Sequence, residues 1–133
     1  MANSVAQLGP NPNPSNETNS PPAPEIQEWE RYAQRAEALM RRRDPEGAIQ
    51  AYEQALASAE TSLEEIPVVE LARICLKMGG LEAALGSTAE ARGSYEYGRR
   101  LLIEARGKGK LPPEAARALS EIEGTIRRLP RDE

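Results

Sequence analysis

The sequence contains no histidine and no phenylalanine, and its only cysteine is Cys75. Without histidine, the commonest general base and the commonest zinc ligand are missing. A single cysteine excludes an intramolecular disulfide and a CxxC metal motif. Aromatic residues make up 4% of the chain, so a core of aromatic-rich strands is excluded as well. These absences favour a fold in which aliphatic helices pack together.

The sequence also lacks the segments that mark export or membrane insertion. No basic region followed by an apolar stretch stands at the N-terminus, and no apolar run is long enough to span a bilayer. The formal net charge of −4 argues against general nucleic-acid binding, which needs positive charge to displace counterions. We therefore expect a cytoplasmic protein with neither nucleic acid nor membrane as a partner.

The chain divides into two parts by composition. Residues 1–24 are rich in Pro, Asn and Ser and contain one charged residue, Glu17. Such a segment cannot bury enough apolar area to offset the entropy of ordering, which predicts a disordered tail. From Glu25 onward, apolar residues recur at three- and four-residue steps, the spacing of one buried helix face. Residues 25–130 therefore form the predicted helical domain.

Breaks in this periodicity predict five helices. Asp44-Pro45 combines an N-cap residue with a proline suited to the first helical position, and Gly86-Ser87 is a stop-and-cap signal. Pro67 disfavours helix in the residue before it, and Pro112-Pro113 opens the last helix. The expected arrangement is two hairpins, over about residues 26–60 and 66–106, and a final helix over about 112–129.

Two stretches of the chain repeat a pattern of small and aromatic residues. Residues 45–56 read PEGAIQAYEQAL and residues 88–99 read TAEARGSYEYGR. Both contain Ala-x-x-x-Tyr followed three residues later by a small residue, and small residues also stand at matching places in the preceding helices. In chain order these positions are Ala36, Ala48, Tyr52 and Ala55, then Gly79, Ala91, Tyr95 and Gly98.

Over residues 29–104 this pattern resembles the tetratricopeptide-repeat (TPR) family, whose repeats carry W-x-x-L-G-x-x-Y and then A-x-x-x-F. The chain departs from it, because Arg35 takes a Leu position and Cys75 and Glu82 take aromatic ones. The copies are 43 residues apart (91 minus 48), whereas the family period is about 34. The resemblance implies an all-α fold in which antiparallel hairpins stack as a short right-handed solenoid, with the last helix as a cap.

The resemblance implies a non-catalytic interaction module, an adaptor or an assembly or secretion-type helper. The family's binders hold a partner segment in a concave groove lined by the first helix of each hairpin. No catalytic, cofactor-binding or metal-binding residue is expected, since the charged residues fall mostly on polar helix faces. The groove positions in this sequence are Glu30, Ala33, Glu37, Arg41, Arg73, Leu76, Lys77, Gly80 and Ala83.

Two alternatives remain open at this point. A self-associating scaffold could assemble through the last helix, where positions 115, 119, 122, 126 and 129 have coiled-coil-like spacing. It could also assemble through charge, because residues 25–98 carry a net −6 and residues 99–133 a net +3. A homo-oligomer is nevertheless not expected. Separately, the run Arg41–Arg43 is explained by the negative end of the helix dipole, and an anchor for an acidic peptide is the alternative.

Overall fold

The computed structural model describes residues 26–62 and 66–131, and over these residues the protein is all-helical. The prediction of five helices and no strands is confirmed for this part of the chain. The prediction of a disordered tail over 1–24 lies outside the described residues. The helices, in chain order, are α1 Glu28–Arg41, α2 Pro45–Glu60, α3 Val68–Ala84, α4 Thr88–Gly107 and α5 Pro113–Arg128.

The same turn joins α1 to α2 and α3 to α4. In the first turn the amide of Asp44 donates to the carbonyl of Leu39 at 2.9 Å, and in the second the amide of Ser87 donates to the carbonyl of Glu82 at 2.8 Å. Each bond closes a Schellman motif at the end of a helix. Corresponding residues in the two turns are 43 positions apart, so the spacing of the sequence repeat is also the spacing of the turns.

The Schellman motif requires one residue in the left-handed conformation. Gly86 (φ 83°) supplies it after α3 and Gly109 (φ 72°) after α4, but after α1 the residue is Arg43 (φ 61°). A residue with a side chain costs about 1–2 kcal/mol more than glycine in this conformation. The first turn is therefore strained where the other two are not.

The helices pack as two hairpins, α1 with α2 and α3 with α4, and α5 packs against α4 and α3. One core cluster lies in and beside the first hairpin and includes Trp29, Tyr52 and Met78. The other lies between the second hairpin and α5 and includes Tyr95 and Leu102. Burial of the two tyrosines, which the repeat pattern predicts, is confirmed.

Small residues let α3 and α4 approach closely. A Cβ atom added to Gly79 would lie 2.6 Å from Cε1 of Tyr95, and one added to Gly98 would lie 2.9 Å from Cβ of Cys75. Both distances are shorter than real Cβ contacts, so each glycine accommodates the side chain opposite it. This packing accounts for Cys75 at a position where the repeat pattern would carry an aromatic ring.

Helix α5 buries one face and exposes the other. Ala115, Leu119 and Ile122 are buried in the second core cluster, and Ile126 and Leu129 pack against its edge. The five positions with coiled-coil-like spacing are thus in contact with the chain's own core. Nowhere in the described residues is a helix sufficiently long and apolar to cross a membrane.

Candidate partner-binding groove

A groove opens between α1 and α3, with α2 beneath it. Its volume is about 330 Å³. We call it the α1–α3 groove. Its lining residues are Glu37, Met40, Tyr52, Lys77, Gly80 and Leu81.

 A separate cavity of about 420 Å³ lies between the start of α3 and the end of α4.

The lining of the α1–α3 groove is apolar below and charged above. Tyr52 is 2% exposed and belongs to the first core cluster, whereas Met40 is 38% exposed although it is a large apolar residue. Burial raises the pKa of the Tyr52 phenol, so this side chain stays neutral at physiological pH. The groove can therefore take an apolar side chain against Met40, Tyr52 and Leu81.

An ion pair bridges the two helices at the rim of the groove. Nζ of Lys77 lies 2.9 Å from Oε2 of Glu37, and both side chains are about half exposed. The hydrogen bond to Glu37 raises the pKa of Lys77, and burial opposes it. Since exposed pairs contribute only about 0–1 kcal/mol, either partner can exchange the other for a charge on a bound segment.

A second, smaller depression of 150 Å³ continues the groove toward the start of α1. Its lining residues are Trp29, Glu30, Ala33, Gln34, Glu37 and Glu70. Because Glu37 lines both depressions, they form one surface along α1. At its far end, Oε1 of Glu30 accepts a hydrogen bond from the amide of Gln27 at 3.0 Å and so caps the helix.

The structure brings together five of the nine residues predicted for the groove. Glu30, Ala33, Glu37, Lys77 and Gly80 line the two depressions. The other four lie elsewhere.

Arg73 pairs with Glu70 at 3.3 Å, on the α3 side of the smaller depression. Leu76 and Ala83 pack against the second core cluster, and Arg41 is exposed at the end of α1. Met40, Tyr52 and Leu81 line the groove but are absent from the predicted set. Met40 and Leu81 stand three and four residues after Glu37 and Lys77, so helical spacing places them on the same faces.

A buried carboxylate lies between α3 and α4. Glu82 is 7% exposed, and its Oε1 accepts a hydrogen bond from Oγ of Ser94 at 2.6 Å. Burial raises the pKa of Glu82, the Ser94 hydrogen bond lowers it, and the carboxylates of Glu53 and Glu90 raise it further. The net direction is upward, so ionised Glu82 destabilises the folded state.

The one cysteine of the chain is not part of a reactive site. The thiol of Cys75 is buried, and burial raises its pKa to about 12. Within residues 26–62 and 66–131, no three His, Cys, Asp or Glu side chains lie close enough together to hold a metal ion. The 420 Å³ cavity at the start of α3 and the end of α4 is lined by none of the nine residues predicted for the groove.

Comparison of the chain with protein-family models, with curated proteins and with solved structures finds no match. The function must therefore be inferred from the chain's own residues. The features that bear on it are the apolar floor of the groove, its charged rim and the repeated hairpin turns.

Proposed function

We propose that this protein is a non-catalytic interaction module that holds a segment of a partner protein in the α1–α3 groove. The observation that carries the proposal is the position of an open apolar groove between the first helices of two hairpins with matching turns. A module of this kind acts as an adaptor or as an assembly or secretion-type helper, and we place it in the cytoplasm.

The proposed architecture is a short TPR-like solenoid. Its support is the 43-residue spacing shared by the two Schellman turns and by the buried tyrosines Tyr52 and Tyr95. Helix α5 would cap the stack, because it covers the second hairpin with its apolar face and carries polar residues on the other.

Binding would use three features of the groove. An apolar side chain of the partner packs against Met40, Tyr52 and Leu81, which removes apolar surface from water. Glu37 and Lys77 then contact charges that flank the apolar side chain. Gly80 has no side chain, so the backbone of the partner can approach α3 closely.

Self-association as a scaffold has weaker support. Its clearest route is the apolar stripe of α5, and that stripe already packs against the chain's own second core cluster. Association through the two oppositely charged regions of the chain is the other route, and sedimentation at low salt measures whether the protein self-associates in this way. We therefore favour the binding module.

The test is to fill the groove. A Cβ at Gly80 meets one atom within 4 Å, the Tyr95 hydroxyl at 3.8 Å, and Gly80 lines the groove, so the side chain of Gly80→Leu should extend into it. Gly93→Leu is the matched control, because a Cβ there meets nothing within 4 Å. Peptides selected from a random display library on the wild-type domain should lose binding to Gly80→Leu and keep binding to Gly93→Leu. Equal binding to both variants would exclude this groove.

A further inference from the structure

Helix α1 and the turn after it carry five arginines and four carboxylates, which are Glu28, Glu30, Glu37 and Asp44. All five of their arginines are exposed, and among the described residues none of the five side chains makes an ion pair or a hydrogen bond. The residues are Arg31, Arg35, Arg41, Arg42 and Arg43.

None of the three carboxylates of α1 forms an ion pair with these arginines. Glu28 accepts a hydrogen bond from Oγ of Ser58, and Glu30 accepts one from the amide of Gln27. Glu37 pairs with Lys77 on α3. The donors of the five guanidinium groups are therefore available to a group from outside the chain.

Three of the arginines form a stripe along one side of α1. At about 100° per residue, Arg31, Arg35 and Arg42 lie within about 40° of one another around the helix. They are opposite Trp29 and Ala36, the buried residues of this helix. With a rise of about 1.5 Å per residue, the stripe is about 16 Å long. We call these three residues the arginine stripe.

A depression of 290 Å³ lies beside the stripe, between α1 and α2. Arg35 stands on one side of it, the amides of Gln50 and Gln54 line the other, and Leu39 and Ala51 supply apolar lining. The one carboxylate in this depression, Asp44, accepts a hydrogen bond from the amide of Gly47 at 3.0 Å. A carboxylate entering the depression would meet the guanidinium of Arg35 and two amide donors, and Asp44 would be the one lining residue of the same charge.

The strained turn adds the charge of Arg43 just after the C-terminal end of α1. Arg43 stands in the left-handed conformation where the other two turns have glycine. An arginine at this position adds positive charge to the surface and makes the turn less stable than glycine would. Strained residues of this kind cluster at binding sites.

We propose that the outer face of α1, centred on the arginine stripe, docks an acidic segment of a protein. Arginine fits this partner because its planar guanidinium binds a carboxylate through two parallel hydrogen bonds. A segment of about five extended residues, at about 3.3 Å each, matches the length of the stripe. The net charge of −4 on the whole chain disfavours a long polyanion such as nucleic acid.

Fluorescence anisotropy with a labelled Glu-rich peptide containing one leucine tests this proposal. The wild-type protein should bind this probe at low salt, more weakly as salt rises, and should not bind the analogue with Gln in place of Glu. The variant Arg31→Glu/Arg35→Glu/Arg42→Glu should bind at least about tenfold more weakly, because it reverses the attraction. Replacing the same three residues by Gln should give a smaller loss.

A matched control separates the stripe from total charge. Arg117→Glu/Arg127→Glu/Arg131→Glu makes the same change in charge at exposed positions in and after α5 and should bind like wild type. Gly80→Leu should also bind like wild type, so this result is independent of the α1–α3 groove. Far-UV circular dichroism verifies that each variant is folded.

Three binding results, and one result on oligomeric state, would overturn the proposal. The binding results are no binding of the Glu-rich peptide at low salt, equal loss in the control variant, and tighter binding of single-stranded DNA or phosphatidylserine vesicles than of the peptide. A wild-type dimer that the Arg→Glu variant converts to monomer would show instead that the stripe pairs two copies of this chain.

Discussion

Replacing Gly79 by alanine tests the closest contact between α3 and α4. Alanine is a better helix former than glycine by about 1 kcal/mol, so an unhindered site in mid-helix would gain stability. At Gly79, however, the new Cβ would lie 2.6, 2.8 and 2.9 Å from three ring carbons of Tyr95. The steric conflict and the helix propensity therefore act in opposite directions.

The steric conflict with Tyr95 should outweigh the gain in helix propensity. The Tyr95 ring is 4% exposed, so it cannot swing into solvent to make room for a methyl group. Overpacking of a core typically costs about 1–3 kcal/mol, and three short contacts to one buried ring place this site near the upper end. After subtraction of about 1 kcal/mol of propensity, Gly79→Ala should destabilise the domain by about 2 kcal/mol.

The neighbouring glycine provides the control. A Cβ at Gly80 meets only the Tyr95 hydroxyl, at an ordinary contact distance of 3.8 Å. Gly80→Ala should therefore stabilise the domain by about 0.5–1 kcal/mol. Two identical substitutions at adjacent positions should thus change stability in opposite directions.

Thermal unfolding followed by circular dichroism at 222 nm measures both variants. A loss of about 2 kcal/mol corresponds to a melting temperature lower by about 10 °C in a domain of this size. Combining Gly79→Ala with Tyr95→Leu should cost less than the sum of the single changes, because the smaller side chain leaves room for the methyl group. If Gly79→Ala melts at or above the wild-type temperature, the close packing of Gly79 on Tyr95 is wrong.

Three further predictions follow from burial and composition. Because burial raises the pKa of Glu82 above its unfolded value, the free energy of unfolding should increase as pH falls from neutral through the raised pKa. Glu82→Gln should be more stable than wild type at neutral pH and should lack this pH dependence. If urea unfolding gives parallel pH profiles for the two proteins, the prediction is wrong. Cys75, with its pKa raised to about 12, should resist a thiol reagent at mildly alkaline pH until urea unfolds the domain, so rapid labelling of the native protein would contradict its burial. Deleting residues 1–24 should leave the melting temperature nearly unchanged, and a drop of more than a few degrees would mean that these residues pack on the domain.

Local signals in the sequence were sufficient to predict the helices. Asp44 and Pro45 cap and open α2, and Gly86 ends the turn before α4, because capping and left-handed backbone depend on one or two adjacent residues. The Ala-x-x-x-Tyr spacing likewise predicted which tyrosines are buried. Arg43 in the left-handed conformation was not predictable in this way, since its own side chain disfavours it.

The groove was less predictable because it depends on how two helices are rotated against each other. Periodicity assigns Leu76 to an apolar face of α3, but it does not say whether that face contacts α1 or α5. In the structure Leu76 packs on the α5 side, while Lys77 and Gly80 face α1. The ion pair between Glu37 and Lys77 joins residues 40 positions apart, a distance at which the sequence carries no local signal.

Helix α3 is shared between the two halves of the molecule. Its residues Ile74, Cys75 and Met78 belong to the first core cluster, and Ala72 belongs to the second. Loss of either hairpin would therefore expose apolar surface on α3 that the other half needs covered. The two hairpins should consequently unfold in a single cooperative transition, and the backbone amides in the middle of α3 should be among the slowest to exchange with deuterium.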